Sequence, residues 1–312
     1  LTLRMPSGIL LLDKPLGLSS NAALQRVKRA YGAAKAGHVG SLDPLATGML
    51  PICLDEATKI AGEILAGRKR YEFTVAPGAR TSTGDTEGEI VERSAVPVLD
   101  RTGVEAVLAA FHGVQSQVPP MYSALKRDGR PLYELARAGV EVERAAREIT
   151  IHALSLRGLH AGAIELDVEC SKGTYVRTLA EDLARALGTV GHVSRLHRVW
   201  VEPFRNAPML PLEAVLEGAQ AGAPPPLLPL DQGIPGWSGV SLSPACVQRV
   251  RQGQAIGRAD LLGGCATAGG ATAGGATATG TAVKLLDDAG RLIGLGEVDG
   301  FGGIRPRRIF NL

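Results

Sequence analysis

Hydrophobic positions near the start of the chain change from a continuous run to helical spacing. Residues 8–12 form a short apolar run that ends in the turn-like stretch 13–17, and this pattern predicts a buried strand. Ser20 then stands at a helix N-cap position, and Gly32 is a stop signal. The apolar face between them consists of Leu24, Val27 and Tyr31. We therefore predict a strand followed by an amphipathic helix.

The middle of the chain mixes strand and helix patterns. Residues 164–169 alternate between apolar and charged side chains, which predicts a half-buried strand paired with residues 149–156 through a turn at 161–162. Leucines at helical spacing before Gly188 predict a helix around residues 179–187. Further patterns predict strands at 71–75 and 193–201 and a helix at 101–112. Because strands and helices do not alternate regularly, we predict an α+β fold with a mixed, largely antiparallel sheet and flanking helices.

A change in composition predicts two domains. Residues 206–237 are rich in proline, alanine and glycine, which is typical of an inter-domain linker. We therefore expect a larger domain over residues 1–237 and a small β-rich domain over 238–312. In the small domain, two strand-like segments flank the turn sequence of residues 287–290 and predict a hairpin.

Two further segments differ from ordinary core sequence. Residues 119–147 form a long, strongly charged excursion, which is typical of a functional lid or arm. Residues 263–282 use only Gly, Ala, Thr and a single Cys, so they cannot bury enough apolar surface to offset their chain entropy. We expect a surface loop there without a function. Both a repeat expansion and a sequence artefact fit its composition.

Charge is distributed unevenly along the 312 residues. The net charge of +3 does not by itself indicate nucleic-acid binding. However, no acid occurs between Lys14 and Leu42, and Arg68–Arg70 is a basic triplet. The last residues add Arg305, Arg307 and Arg308. Clustered cations on a nearly neutral chain favour a basic groove facing phosphates, although a solvated face explains any single cluster equally well.

Several function classes are disfavoured by what the sequence lacks. The apolar run of residues 9–12 is too short for a signal peptide or a membrane span, so we expect a cytoplasmic protein with no membrane partner. The four cysteines lack metal-ligand spacing, which disfavours a zinc site. Walker A, dinucleotide-binding, zinc-protease and nucleophile-elbow patterns are absent. The chain begins with Leu, and Met5 is the expected start residue.

Residues 37–50 are the most informative segment. Three glycines, one proline and the absence of a helical or strand period predict a structured loop. Asp43 is the first acid after the basic stretch, which is typical of a carboxylate held ionised beside a polyanion; a simple Asx-Pro turn is the alternative. Four tyrosines near basic residues could stack on an exposed base, with ordinary packing as the alternative. They are Tyr71, Tyr122, Tyr133 and Tyr175.

Four motifs resemble those of the bacterial tRNA pseudouridine synthase B family, in that family's order. They are residues 8–20, 37–50, 120–126 and 171–177, and residues 56–59 and 228–231 also fit. The resemblance extends over nearly the whole chain. It implies the pseudouridine synthase fold, with a small C-terminal β-barrel-like PUA domain that binds RNA.

The resemblance also implies an activity: isomerisation of the T-loop uridine at position 55 of tRNA to pseudouridine, without cofactor, metal or guide RNA. The 119–147 arm would clamp the T-arm stem-loop, and the C-terminal domain would contact the acceptor end. Asp43 would be the nucleophilic carboxylate, paired with Arg177. The implied substrate-binding residues are His38, Tyr71, Tyr175, Leu196, Lys14 and Asp85. From its size, we expect a monomer.

Two other functions remain open from the sequence. The same groove could serve a non-catalytic protein that binds or folds tRNA. The chain could also be the catalytic subunit of a guide-RNA particle, although its lack of long basic extensions disfavours this interpretation.

Overall fold

The computed structural model describes residues 7–127, 129–261 and 278–312. The strands in these ranges are β1 (Gly8–Lys14), β2 (Ala36–His38), β3 (Ala46–Leu54), β4 (Lys69–Pro77), β5 (Ala79–Thr81), β6 (Ile90–Arg93), β7 (Gly113–Gln117), β8 (Lys126–Arg127), β9 (Arg130–Pro131), β10 (Arg147–His160), β11 (Ala163–Cys170), β12 (Gly191–Val201), β13 (Leu210–Pro211), β14 (Ser238–Ser241), β15 (Ala282–Leu286), β16 (Leu292–Val298) and β17 (Ile304–Ile309). The helices are α1 (Ser20–Ala30), α2 (Ala61–Ala66), α3 (Arg101–Ala109), α4 (Leu132–Arg137), α5 (Val176–Ala186), α6 (Leu212–Gln220), α7 (Pro244–Arg251) and α8 (Arg258–Asp260).

A large mixed sheet organises the described part of the chain. Its strand order is β13-β1-β3-β12-β4-β11-β10-β7, with β2 paired to β3. Six of its eight pairings are antiparallel, and only β1–β13 and β3–β12 are parallel. A second sheet near the C-terminus has the order β14-β15-β16-β17. The predicted α+β class with a largely antiparallel sheet is confirmed.

Both faces of the central strands are buried. In β1, Leu10 and Leu12 pack into a cluster that includes apolar residues of α1, α3, α5 and α6. The alternate residues Ile9 and Leu11 pack into a second cluster, which includes residues of α2 and of the C-terminal region. Strands covered on both faces consist of nearly continuous apolar residues. The strand predicted at residues 8–12 is confirmed as β1, and its burial on both faces explains its continuous apolar run.

The same double burial corrects the prediction of a loop over residues 37–50. Only residues 39–45 form a loop, because the flanking positions belong to β2 and β3. Most of β3 is buried on both faces, so its sequence lacks the alternation of a half-buried strand. Gly48 is also a strand residue: its φ is +98°, and a Cβ there would collide with the Arg198 backbone. This glycine marks a close strand contact, not a turn.

Local patterns predicted several other elements well. The helix expected near Ser20 is α1, whose N-cap is Ser19, one residue earlier than predicted. The expected hairpin is formed by β10 and β11, with His160 opposite Ala163 around a two-residue turn. The helices predicted around 101–112 and 179–187 are α3 and α5. The C-terminal hairpin is β15–β16.

Residues 206–237, the predicted inter-domain linker, contain secondary structure that packs against the main sheet. They contain β13, which pairs with β1 at the edge of the main sheet, and α6, which contacts α1. Leu212 and Val215 of α6 are buried in the main core. The apolar spacing of α6 allows this segment to pack despite its flanking prolines and glycines.

The structure describes nearly all of the charged segment 119–147 but only the last residues of the low-complexity segment 263–282. The 119–147 excursion contains β8, β9 and α4, and its function as an RNA clamp stays a prediction. Most of the low-complexity segment 263–282 lies outside the described residues; its last residue, Ala282, begins β15. In the described ranges, no helix has the length and apolar character needed to cross a membrane.

Candidate active site

The loop of residues 39–45 joins β2 to β3 and presents Asp43. Its backbone is fixed by Ser20 of α1. The Ser20 hydroxyl donates to the Leu42 carbonyl at 2.9 Å and accepts from the Leu42 N–H at 2.7 Å. The residue before Asp43 is therefore held through both of its backbone polar groups.

Arg177 forms an ion pair with Asp43. Its Nε lies 2.9 Å from Asp43 Oδ2, as the resemblance predicted for this pair. The other guanidinium nitrogens donate to the carbonyls of Thr83 (2.5 Å) and Tyr122 (2.7 Å). Arg177 lies in the first turn of α5 and only 5% of its side chain is exposed, against 39% for Asp43. The cation is thus fixed, while the carboxylate remains accessible from one side.

Opposing effects act on the Asp43 carboxyl. Burial raises the pKa of Asp43, the Arg177 guanidinium opposes the rise, and the negative charge of Asp85 adds to it. A carboxylate that is more basic than usual, paired with a cation and partly exposed, suits nucleophilic or base chemistry. Among the described residues, no three His, Cys, Asp or Glu side chains are grouped as a metal site.

Asp85 lies behind the ion pair and does not reach the surface. Only 2% of the residue is exposed, and its Oδ2 is 3.8 Å from Arg177 Nε. Its Oδ1 accepts hydrogen bonds from the Thr83 hydroxyl at 2.5 Å and the Glu87 N–H at 3.1 Å. We predicted substrate contact for Asp85. Because it is buried and engaged, it instead shapes the 83–87 loop and the surroundings of Arg177.

Lys14, at the end of β1, is also buried beneath the Asp43 loop. Its ammonium donates to the carbonyls of Pro15 (2.8 Å), Leu18 (2.6 Å) and Pro44 (3.5 Å). Burial lowers its pKa to about 8, although the charge of Asp43 opposes this. With no exposed surface, Lys14 cannot make the predicted substrate contact in this conformation. Its position instead supports the loop.

Tyr71 and Leu196 come from the central strands of the sheet. Tyr71 on β4 lies opposite Arg198 on β12, and Leu196 on β12 lies opposite Ala46, just after the loop. Both are mostly buried, with exposed fractions of 8% and 6%. Burial raises the pKa of Tyr71, and the charge and hydrogen bonding of Arg198 oppose the rise. Asp43 is near enough to Tyr71 to affect the same pKa.

Tyr175 and His38 complete the set of predicted residues. Tyr175 precedes α5, and the Gln117 side chain holds its backbone by donating to its carbonyl (3.1 Å) and accepting from its N–H (2.8 Å). Burial raises the pKa of the Tyr175 phenol. His38 ends β2; burial lowers its pKa, and in the described ranges its buried Nδ1 has no hydrogen-bond partner. All the predicted residues thus lie on segments that meet around the Asp43 loop.

The predicted site residues do not include two contributors to this arrangement, Gln117 and Arg198. Gln117 fixes the start of α5, and no local pattern marks it. Arg198 is 1% exposed and lies two residues after the buried Leu196 on the same strand. Because strand side chains repeat every two residues, a charge at this inward position was a detectable signal.

Charge pairing corrects one part of the predicted basic groove. Arg68 pairs with Glu169 (3.2 Å) and Arg70 with Asp167 (2.7 Å). Lys69 is 5% exposed and donates to the carbonyls at the end of α2. The basic triplet is therefore not a free phosphate-binding surface. By contrast, the α1 cations make no ion pairs in the part of the chain that the structure describes: Arg26, Lys28 and Arg29.

The chain is similar to curated bacterial proteins over nearly its full length. A "tRNA pseudouridine synthase B" of Cupriavidus metallidurans is 47% identical, with 98% of this chain and 94% of that protein covered. A protein of the same name from Xanthomonas campestris is 42% identical, with coverage of 100% and 96%. This chain belongs to the TruB family of pseudouridylate synthases.

Three family models match successive parts of this TruB-family chain. The "TruB family pseudouridylate synthase (N terminal domain)" model matches residues 28–176, which include the Asp43 loop. The "tRNA pseudouridylate synthase B C-terminal domain" model matches residues 177–231, and the "Pseudouridine synthase II TruB, C-terminal" model matches residues 238–310. As a member of this family, the protein is a pseudouridine synthase and therefore an isomerase.

Solved structures confirm the pseudouridine synthase fold. A chain of an H/ACA ribonucleoprotein bound to a substrate RNA containing 2′-deoxyuridine has a TM-score of 0.72 at 19% identity, with 99% of this chain and 86% of that chain covered. A chain of an archaeal box H/ACA complex has a TM-score of 0.70 at 19% identity, with coverage of 98% and 87%. At these identities the likeness concerns the fold.

Proposed function

We propose that this TruB-family protein isomerises the T-loop uridine at position 55 of tRNA to pseudouridine, with Asp43 as the nucleophilic carboxylate. The relatives' shared name supports tRNA as the substrate class. The observation that carries the proposal is the 2.9 Å ion pair between Arg177 and a partly exposed Asp43 on a clamped loop.

The reaction needs such a carboxylate. The bond between ribose C1′ and uracil N1 breaks, the base turns, a C1′–C5 bond forms, the C5 proton leaves, and N1 takes up a proton, so that the product is an isomer of the substrate. A carboxylate can attack the nucleoside, as in covalent glycoside chemistry, and can later accept the C5 proton. Arg177 holds Asp43 in place and favours its ionised form against the effect of burial.

The target base must leave its stack to reach Asp43. Extrusion costs on the order of a few kcal/mol. Stacking on an aromatic residue returns roughly 1–3 kcal/mol per base, and Tyr71 supplies that ring beside Leu196 and Tyr175. His38, with a free buried nitrogen, packs into the space that the base vacates. Phosphate contacts then supply the remaining binding energy.

Further contacts extend along the tRNA. The 119–147 arm closes over the T-arm stem-loop, and the C-terminal domain contacts the acceptor end. The protein acts as a monomer and without a guide RNA.

Tritium release tests the proposal. A tRNA transcript labelled with tritium at uracil C5 is incubated with the purified chain alone. Wild type should release one tritium per target uridine, and Asp43→Asn should release none while still binding the transcript. Asp288→Asn, in an exposed turn, is the matched control and should behave as wild type. Binding without release by wild type would instead indicate a tRNA-binding protein and overturn the proposal.

A further inference from the structure

Arg198 is a cation in the interior of the main sheet. It lies on β12 with 1% of the residue exposed, and in the described ranges no carboxylate forms an ion pair with it. Asp43, the nearby acid, is paired with Arg177 instead. A buried charge without such a partner is unfavourable unless hydrogen bonds satisfy it.

Backbone carbonyls on both sides of the Asp43 loop satisfy the guanidinium. Nε donates to the Met49 carbonyl at 2.6 Å, and Nη2 donates to the carbonyls of Gly40 (3.0 Å) and Val39 (3.3 Å). Val39 and Gly40 precede Asp43, whereas Met49 follows it in β3. One side chain therefore cross-links the entry and the exit of the loop.

Gly40 and Gly48 leave room for Arg198. A Cβ at Gly40 would lie 3.1 Å from Arg198 Nη1, and the φ of Gly40 is +70°. A Cβ at Gly48 would collide with the Arg198 backbone. Contacts with one arginine on the neighbouring strand thus explain the glycines at positions 40 and 48.

The same guanidinium acts on Tyr71, which lies opposite Arg198 in the β4–β12 pairing. Its charge and hydrogen bonding oppose the rise that burial causes in the pKa of the phenol. Arg198 consequently lies between the loop that carries the reacting carboxylate and the strand that carries the proposed stacking ring.

We propose that Arg198 is a positioning residue, whose guanidinium sets the distance between Asp43 and the base held by Tyr71. This inference rests on the proposed function. A misplacement of about 1 Å can lower a reaction rate by about a hundredfold. Lysine is a poor substitute, because a single ammonium lacks the planar fork that reaches several carbonyls at once.

The test measures single-turnover rates over a range of enzyme concentrations with a tritiated T-arm stem-loop. This gives the maximal rate constant and the half-saturating concentration separately. Arg198→Met should lower the rate constant by about a hundredfold and change half-saturation by less than about threefold. Arg198→Lys should recover about tenfold of the lost rate. Arg195→Met, an exposed arginine on the same strand, should keep the wild-type rate constant.

Several outcomes would overturn the inference. They are a rate constant for Arg198→Met within about threefold of wild type, and equal losses of rate and affinity. If Arg198→Met shows no cooperative thermal transition, Arg198→Lys decides: a folded lysine variant with the wild-type rate overturns the inference. If both variants are unfolded, Arg198 is required for folding alone, and the inference of a positioning role is overturned. Inactivity of wild type and Arg195→Met would instead contradict the proposed function.

Discussion

Opposing electrostatic effects meet at the Asp43 carboxyl. Burial and the charge of Asp85 raise its pKa, and the guanidinium of Arg177 opposes them. The proposed nucleophilic attack requires the ionised form of Asp43, so activity should fall as the pH decreases through the Asp43 pKa. In the proposed reaction, Arg177 would therefore set the low-pH limit of activity as well as the position of the carboxylate.

Replacing Arg177 with glutamine should lower the rate far more than RNA affinity. Removing the guanidinium takes away the main effect that opposes burial, so the pKa of Asp43 rises further and the low-pH limit of the rate moves to higher pH. We expect a rate loss of about a hundredfold at neutral pH. Single-turnover rates between pH 5 and 9 and a binding isotherm at each pH provide the measurement. Equal losses of rate and affinity would reduce Arg177 to a phosphate contact.

Two substitutions at Tyr71 separate stacking from the hydroxyl. Tyr71→Phe keeps the ring and should bind the stem-loop as wild type does. Tyr71→Ala should weaken both binding and turnover, by about tenfold if one stacking contact is lost. Filter binding and tritium release measure the two effects. Similar behaviour of the two variants would show that stacking is not the function of Tyr71.

At the scale of strands and helices, local patterns predicted elements whose partners lie nearby in sequence. The β10–β11 hairpin follows from alternation and a glycine turn. The β3 strand does not, because its buried faces are covered in part by residues far away in the sequence, such as Leu295 and Phe310 near the C-terminus. The candidate site shows the same limit. Motif resemblance indicated Asp43 and Arg177. The burial of Lys14 and Asp85 was not predicted, because it depends on tertiary packing that no local sequence pattern encodes.

Gly48→Ala tests the close contact between β3 and β12. An alanine at φ +98° is strained, and its Cβ would collide with the Arg198 backbone. The left-handed region alone costs roughly 1–2 kcal/mol, so the free energy of unfolding should fall by at least that amount. Urea unfolding measures the change. Gly37→Ala is the control, since a Cβ there meets nothing within 4 Å and its stability should be close to that of wild type. Equal stability of the two variants would contradict the contact.

Over the whole molecule, the C-terminal sheet is fixed to the larger part of the chain. Lys59 donates to the Ile309 carbonyl at 2.7 Å and lies 5.9 Å from the Phe310 ring centroid. The N–H of Asn311 donates to Glu56 at 2.8 Å, and Phe310 is buried in the core cluster beneath β1. A contact made by the C-terminal domain therefore lies at a defined distance from Asp43.

Phe301 is suited to such a remote contact. It is 88% exposed in the turn between β16 and β17, where the Asp299 carboxylate accepts hydrogen bonds from the N–H groups of Phe301 (2.9 Å) and Gly303 (2.8 Å). If the ring stacks on an unpaired nucleotide of the acceptor end, Phe301→Ala should weaken binding of full-length tRNA by about tenfold. Binding of the isolated T-arm stem-loop should not change, because that fragment lacks the acceptor end.

Fluorescence titrations with both RNAs measure the difference. Val98→Ala is the control, because Val98 is fully exposed in the larger part of the chain. Equal effects on the two RNAs would assign Phe301 to the T-arm, and no effect on either would exclude it from tRNA binding.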